Sequence, residues 1–454
     1  MSKVMTYGGH FRAISVLGLP LIGGHLAQFA IGLTDTVMLG WYGVEALAAV
    51  TLASSYFFVL FLFGAGFGLA VMPMVATAAA EEDETSIRRT TRMGLWLSLI
   101  YAAVMMPMLW WSYPIFLALK QDPQVAETAS QYLRVAGWGL IPALLVMVLK
   151  SYLAALERTQ IVLWITVAAA VVNAITNYAL IFGNWGAPEL GVMGAAIASV
   201  VTQIVSLVCV VIYAMRVLPE HSLFQRFWRP DWEMFLSVLR LGVPIGLTTL
   251  SEVSLFAMSA IMMGWLGQVP LAAHGIALNL ASATFMVHLG LSNAATIRAG
   301  NALGRKDRPH LERGAIAVTG MSLVISVVTV ILFLAYAEPL ISLFMEPDDP
   351  QRPEILMIGT GLLAMAALFQ LVDGAQVIAL GLLRGLQDAK VPMVMAALSY
   401  WGVGITSSYY FGFVLGMDGI GVWLGLVLGL ACAAVMLMAR FWMRSVREVG
   451  VPAE

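Results

Sequence analysis

Charge is what this chain of 454 residues has least of. Only 11% of its residues are Asp, Glu, Lys or Arg, and its mean hydropathy is +0.88. Soluble domains carry about 25% charged residues, so a water-soluble globule is excluded. Cysteine is nearly absent as well: Cys209 and Cys432 both lie inside apolar runs. That excludes a disulfide framework and a cysteine metal site, and both read as small buried hydrophobes. The net charge of −2 comes without any basic stripe, so the footprint of a nucleic-acid partner is missing. No Walker loop, HExxH, GxSxG or glycine-rich nucleotide cradle occurs. The chain therefore reads as a non-enzyme without a cofactor, and any pumping must draw on an ion gradient. Its start, MSKVMTYGGHFRA, leads into an apolar run too long for a cleavable signal peptide and lacks a small-residue cleavage site.

What is present is long apolar runs. A spanning helix needs roughly 20 such residues, and twelve runs qualify, at about 13–39, 46–80, 92–118, 128–152, 159–183, 191–215, 235–265, 271–303, 314–344, 354–384, 389–414 and 419–443. Six precede and six follow one polar segment, RVLPEHSLFQRFWRPDWE. The expected organisation is an N-terminal six-helix lobe (1–215), a cytoplasmic linker (216–234) and a C-terminal six-helix lobe with a short tail (235–454). The linker mixes Phe224, Phe227, Trp228 and Trp232 with Arg226 and Arg229. This composition fits an interfacial helix lying on the bilayer and fits a plain loop equally well.

Orientation follows from the basic residues. With both termini in the cytoplasm, twenty of the 24 Lys and Arg, from Lys3 and Arg12 to Arg447, fall on the cytoplasmic side. Lys120, Arg134 and Arg352 fall outside, and Arg298 lies within a helix, where snorkelling towards the cytoplasm would accommodate it. This is a positive-inside bias. It gives a multi-pass protein of the cell inner (plasma) membrane with both termini cytoplasmic and lipids as neighbours.

The two halves are related. Leu17–Ala49 returns as Leu241–Ala273 at a constant offset of 224 residues, with eleven ungapped identities in 33 positions that include Gly18/Gly242, Pro20/Pro244 and Trp41/Trp265. Internal repeats of this size are typical of secondary transporters. Six spans per half make the repeat parallel, two pseudo-symmetric lobes.

Three acids lie deep within spans: Asp35, Glu252 and Asp373. Each uncompensated charge in hydrocarbon costs at least ~2.5–3.5 kcal/mol. They must face a polar cavity, be protonated or bind cations. Asp35 is matched in the repeat by Ser259, and Glu252 by Gln28. Positions 28 and 35 are two turns apart on one helix face, roughly 10 Å along the axis, so each half places its acid on the same face at a different depth. Gln370, Asp373 and Gln376 share a face at spacing three, and Asn173 and Asn177 share one at spacing four. Amide oxygens of this kind suit a carboxylate–cation site or a proton-linked network, and would equally serve helix-to-helix hydrogen bonding. The lone histidines His25, His274 and His288, with Asn279 and Asn293, are weaker candidates.

Residues QFAIGLTDTVMLGWYGVEALAAV, SEVSLFAM, AAHGIALNLASATFMV, AATIRAGNALGR and VDGAQVIALGLLRGLQDAKVPM, taken together, are similar to the multidrug and toxic compound extrusion (MATE) transporters, in their NorM-type branch. The resemblance covers nearly the whole chain. It implies twelve helices in two six-helix lobes around a central cleft, and export of cationic, amphipathic compounds in exchange for sodium ions or protons. It implies Asp35 as the first-lobe acid with Asn173 and Asn177 as polar partners, and Glu252 with Asp373 as the second-lobe cation-binding pair and sodium site. A NorM-type pattern often has a tyrosine one turn before that aspartate; Phe369 stands there instead.

The leading expectation is thus a cation-coupled exporter, acting as a monomer, with coupling at Asp35, Glu252 and Asp373 and a polar or substrate-contacting set of Gln28, Asn173, Asn177, Phe369, Gln370 and Gln376. A lipid-linked oligosaccharide flippase of related architecture is the alternative, and it would carry several cleft arginines where this chain offers Arg298. A channel would not couple to a counter-gradient. A membrane-embedded enzyme would need clustered nucleophiles or metal ligands, which the sequence does not offer.

Overall fold

The computed structural model describes residues 5–345, 348 and 350–450 of the chain; Lys3 lies outside them. Among the described residues all regular structure is helical. The long helices are α1 (Tyr7–Tyr42), α2 (Val44–Ala80), α3 (Glu84–Trp110), α4 (Pro123–Ala155), α5 (Thr159–Phe182) and α6 (Val192–Val217), then α7 (Trp232–Leu266), α8 (Gln268–Gly304), α9 (Arg308–Ala335), α10 (Arg352–Gly385) and α12 (Asp418–Glu448). All eleven are long and apolar enough to cross a membrane. The twelfth expected run is α11, residues 390–414, a continuous helix in which Leu398–Ile405 and Tyr410–Val414 are π-wound. Such π turns widen a helix locally and occur often at functional positions.

The repeat is visible in the local chemistry. Helices α2 and α8 are both 37 residues long and begin 224 residues apart. The next helix of each half starts with an aspartate cap: Asp83 accepts from the Ser86 N–H and Asp307 from the His310 N–H, both at 3.0 Å. Each cap terminates a short turn whose preceding residue is left-handed, Glu82 at φ 58° and Lys306 at φ 54°. Two expected spans, 92–118 and 314–344, are broken near their ends. The backbone leaves helical geometry at Trp111 (φ −104°, ψ 39°) and Tyr336 (φ −122°, ψ 30°), and short helices Ser112–Ala118 and Ala337–Ser342 follow. The apolar run continues through both breaks, so hydropathy alone could not register them.

The chain forms two compact units, Met1–Ile22 with Leu247–Glu454, and Gly23–Gly246. The cuts at Ile22 and Gly246 are repeat-equivalent positions, 224 residues apart, so packing divides α1 and α7 at the same point. Each cut lies two residues after a proline inside the helix, Pro20 and Pro244, where the missing N–H interrupts the hydrogen-bond ladder. Within one unit, a Cβ at Gly290 would meet the Ile22 backbone nitrogen at 2.7 Å; within the other, a Cβ at Gly66 would meet the Gly246 nitrogen at 2.6 Å. Glycine is required at both places because two helix backbones touch there.

The polar linker is a loop. Only Pro219–His221 makes a helical turn, and the interfacial-helix reading fails because α3 side chains take up the loop's carbonyls. Arg92 donates to the Leu223 and Ser222 carbonyls at 2.6 and 2.7 Å, and the Trp96 indole donates to the Phe227 carbonyl at 2.9 Å. Arg89 binds Asp231 and, at 3.1 Å, Glu233. The core of Gly23–Gly246 gathers Leu39, Val50, Leu109, Phe116, Leu133 and Ile181. The other unit buries Trp423, Tyr400, Leu430 and Leu437 completely. Trp41 and Trp265, repeat partners at helix ends, are 72% and 61% exposed, as suits interfacial anchors.

Candidate functional site

Each compact unit builds one polar site inside an otherwise apolar helix bundle. In Gly23–Gly246, α5 presents Asn173 and Asn177 on one buried face, four residues apart. The Asn177 side-chain N–H donates to the Asp35 carboxylate on α1 and, at 3.2 Å, to the Asn173 side-chain oxygen. Tyr132 of α4, which is nearly buried, lies within electrostatic reach of Asp35. The structure brings together the three polar residues that the sequence singled out here, and adds a phenol that it did not. A tyrosine in an apolar helix gives no pattern that separates it from packing. Gln28, on the same helix as Asp35, is exposed.

In the other unit, Glu252 of α7 and Asp373 of α10 are 8% and 1% exposed and close enough to repel one another. Gln376 hydrogen-bonds Glu252 and also donates to the Tyr400 hydroxyl of α11. Tyr400 is fully buried within the π-wound turn and feels both carboxylates. Arg384 of α10 acts on Glu252 across the same unit. Arg384 is one of the twenty basic residues that the positive-inside bias assigns to the cytoplasmic side. It stands eleven residues, and thus about 20° round the helix, from Asp373, and its influence on Glu252 is electrostatic.

The chemistry of this second site is set by its unsatisfied acceptors. Glu252 Oε1, both Asp373 oxygens, Gln370 Oε1 and Gln376 Oε1 are buried with no hydrogen-bond donor among the described residues. A buried carboxylate without donors is costly. Oxygen-only ligands of this type fit a hard monovalent or divalent cation. No cluster of three or more His, Cys, Asp and Glu occurs among the described residues, so the nitrogen- and sulfur-rich set of a transition metal is not what is offered. Phe369 is away from the polar groups: its ring packs edge-on against Phe256 at 5.9 Å and Trp423 at 5.7 Å. A hydroxyl does reach this site from a different helix, that of Tyr400.

The weaker candidates have ordinary partners. His274 accepts from the Trp423 indole at 3.0 Å, and His288 bonds Ser322 at 2.9 Å. Asn279 donates to the Gly275 carbonyl one turn back. Arg298 reaches towards the starts of α1 and α9, where its guanidinium sits between the His10 and His310 imidazoles at 3.0 and 2.9 Å.

The chain as a whole has counterparts among known proteins. The MatE family model matches residues 20–179 and 244–410, which takes in Asp35, both asparagines, Glu252, Asp373 and Tyr400. The chain belongs to the MatE family. It is 44% identical over 446 residues to the "Probable multidrug resistance protein NorM" of Rhizobium meliloti, covering 98% of this chain and 96% of that protein. It is 45% identical over 442 residues to the protein of the same name from Agrobacterium fabrum, covering 97% and 95%. Among solved structures, a eukaryotic MATE transporter aligns with a TM-score of 0.85 at 18% identity, over 98% of this chain and 99% of that one. A MOP superfamily transporter from Pyrococcus furiosus aligns with a TM-score of 0.86 at 20% identity, over 97% of both. These two likenesses establish that the MatE chain has the two-lobe MATE fold.

Proposed function

We propose that this MatE protein is an ion-coupled antiporter that exports cationic, amphipathic compounds across the inner membrane by alternating access, both termini being cytoplasmic. The observation that carries the reading is the set of donor-less buried oxygens on Glu252, Asp373, Gln370 and Gln376, in a chain whose relatives are named multidrug resistance proteins. A carboxylate can exchange one positive charge for another, so a coupling cation and a cationic substrate can compete for it. Sodium is the coupling ion that the second site's two acids and amide oxygens favour. Asp35, held by Asn177, is a separate proton or substrate site. The lipid-flippase alternative draws no support: it calls for several cleft arginines, whereas Arg298 is hydrogen-bonded with two histidines and Arg384 lies within electrostatic reach of Glu252.

The test is efflux of a lipophilic cation from proteoliposomes under separately imposed sodium and proton gradients. Counter-gradient export driven by one or both supports the reading. Movement that follows only the substrate's own gradient sinks it.

A further inference from the structure

A cavity of about 450 Å³ lies where the first turns of α3, the linker loop and the start of α7 meet, all within Gly23–Gly246. That volume is in the range of small-ligand pockets, about 300–1,000 Å³. Arg89, Arg92 and Arg229 line it together with Met93 and Trp232. The two acids at its edge are already committed, since Asp231 and Glu233 both bind Arg89.

The other two guanidiniums have no such balance. Arg92 is half-buried and donates from Nε and Nη2 to the Leu223 and Ser222 carbonyls. A guanidinium carries five N–H groups, so three remain to Arg92. Carbonyl dipoles accept its hydrogen bonds but leave its charge intact. Arg229 is exposed, and among the described residues no Asp or Glu pairs with Arg92 or Arg229. Arg88, within electrostatic reach of Arg92, adds a further positive charge. Planar forks of this kind match the oxygens of a phosphate.

Position selects the source of that phosphate. Both helices that begin at the cavity, α3 and α7, are long and apolar enough to span the membrane. Trp232 on its wall and Trp228 in the adjoining loop are 61% and 72% exposed, and indoles favour the headgroup level of a bilayer. Basic pockets at the cytoplasmic ends of spanning helices suit anionic headgroups. A soluble phosphate shares the charge but has no acyl chain to meet Met93 and Trp232.

We propose that Arg92 and Arg229, with Trp232 beside them, form a binding site for the phosphodiester of an anionic phospholipid. The two guanidiniums supply charge and donors, and the indole and Met93 supply apolar surface for the lipid's glycerol and first acyl carbons. Because Arg92 also holds the loop, a bound lipid ties the linker to α3. The site is independent of which compound the protein exports.

The experiment is native mass spectrometry of the purified full-length protein in detergent, titrated with dioleoyl phosphatidylglycerol or dioleoyl phosphatidylcholine. Loss of one charge-assisted contact corresponds to about a tenfold fall in affinity. Wild type should retain a first phosphatidylglycerol in preference to phosphatidylcholine. Arg92→Gln and Arg229→Gln should each weaken that retention about tenfold, while Arg158→Gln, at another exposed arginine of the same unit, should leave it unchanged. Equal weakening in Arg158→Gln would show a diffuse attraction and overturn the site. Equal retention of the two lipids by wild type overturns it whatever the variants do. Displacement of the lipid by excess inorganic phosphate would make this a soluble-anion site and overturn the lipid assignment. Should Arg92→Gln fail to fold, Arg229→Gln decides, since its exposed side chain supports no other contact.

Discussion

Gly66 of α2 lies against Gly246 of α7 with no room for a methyl group: a Cβ at position 66 would stand 2.6 Å from the Gly246 nitrogen and 2.5 Å from the Gly242 carbonyl oxygen. Gly290 makes the equivalent contact with Ile22 in the other unit. Backbone cannot move aside as a flexible side chain can, so overpacking at either glycine should cost about 1–3 kcal/mol. We expect Gly66→Ala and Gly290→Ala each to lower the melting temperature in detergent by several degrees. Gly320→Ala, where nothing lies within 4 Å, should leave it unchanged or raise it, since alanine favours helix. Equal melting of all three would show that the close approach carries no stability.

The three acids within the helices, Asp35, Glu252 and Asp373, should be essential for transport. Asp35→Asn, Glu252→Gln and Asp373→Asn are nearly isosteric and remove only charge and proton affinity, so the protein should insert and fold. Export should fall by an order of magnitude or more in each. Wild-type drug resistance in all three at equal expression would remove these residues from the mechanism.

The two sites should divide the work. Glu252→Gln and Asp373→Asn should abolish sodium-stimulated transport, and Tyr400→Phe, which removes a hydroxyl beside both acids, should weaken sodium dependence without abolishing export. Asp35→Asn should chiefly alter the pH profile. The measurement is sodium-dependent quenching of intrinsic fluorescence at two pH values. Sodium affinity that falls with Asp35→Asn and survives Asp373→Asn would place the sites in the wrong units.

The linker loop should loosen in acid. The Arg89 hydrogen bond holds the Asp231 carboxyl below its ordinary value, against the opposing effect of burial. A depressed folded value means that this contribution is complete above the unfolded value, about 4, and is lost as pH falls through the lower folded value. Arg89 is 36% exposed, so solvent screening keeps the effect to ~1 kcal/mol or less. Protease cleavage in 218–231 should increase on acidification in wild type and be high and pH-independent in Arg89→Ala.

Topology is open to reporter fusions. Fusions in the linker and after residue 448 should give active cytoplasmic reporters. One at Gln121, between α3 and α4, should give an active external reporter. The reverse pattern would overturn the orientation read from Lys and Arg.

The sequence alone determined the class of this protein. The bilayer demands about 20 apolar residues per span, which is a local property, so the twelve runs stood out, with boundaries close to the helices found. The repeat was legible because the 224-residue offset has no gap through α1–α3, where even the Asp83 and Asp307 caps correspond. The acids were legible because a charge inside such a run is an exception that must be explained. Tertiary structure decided the rest, since it concerns which helix faces which. Tyr400 and Tyr132 look like any packing aromatic until their helices bring them to an acid. Arg384 reads as a helix-end charge until packing brings Glu252 within its electrostatic reach. The close approaches of Gly290 to Ile22 and of Gly66 to Gly246 join segments far apart in the sequence, so only packing reveals them. Gln28 and Glu252 are repeat partners in the sequence, yet packing leaves Gln28 exposed and Glu252 buried beside Asp373, a difference that only the helix neighbours decide.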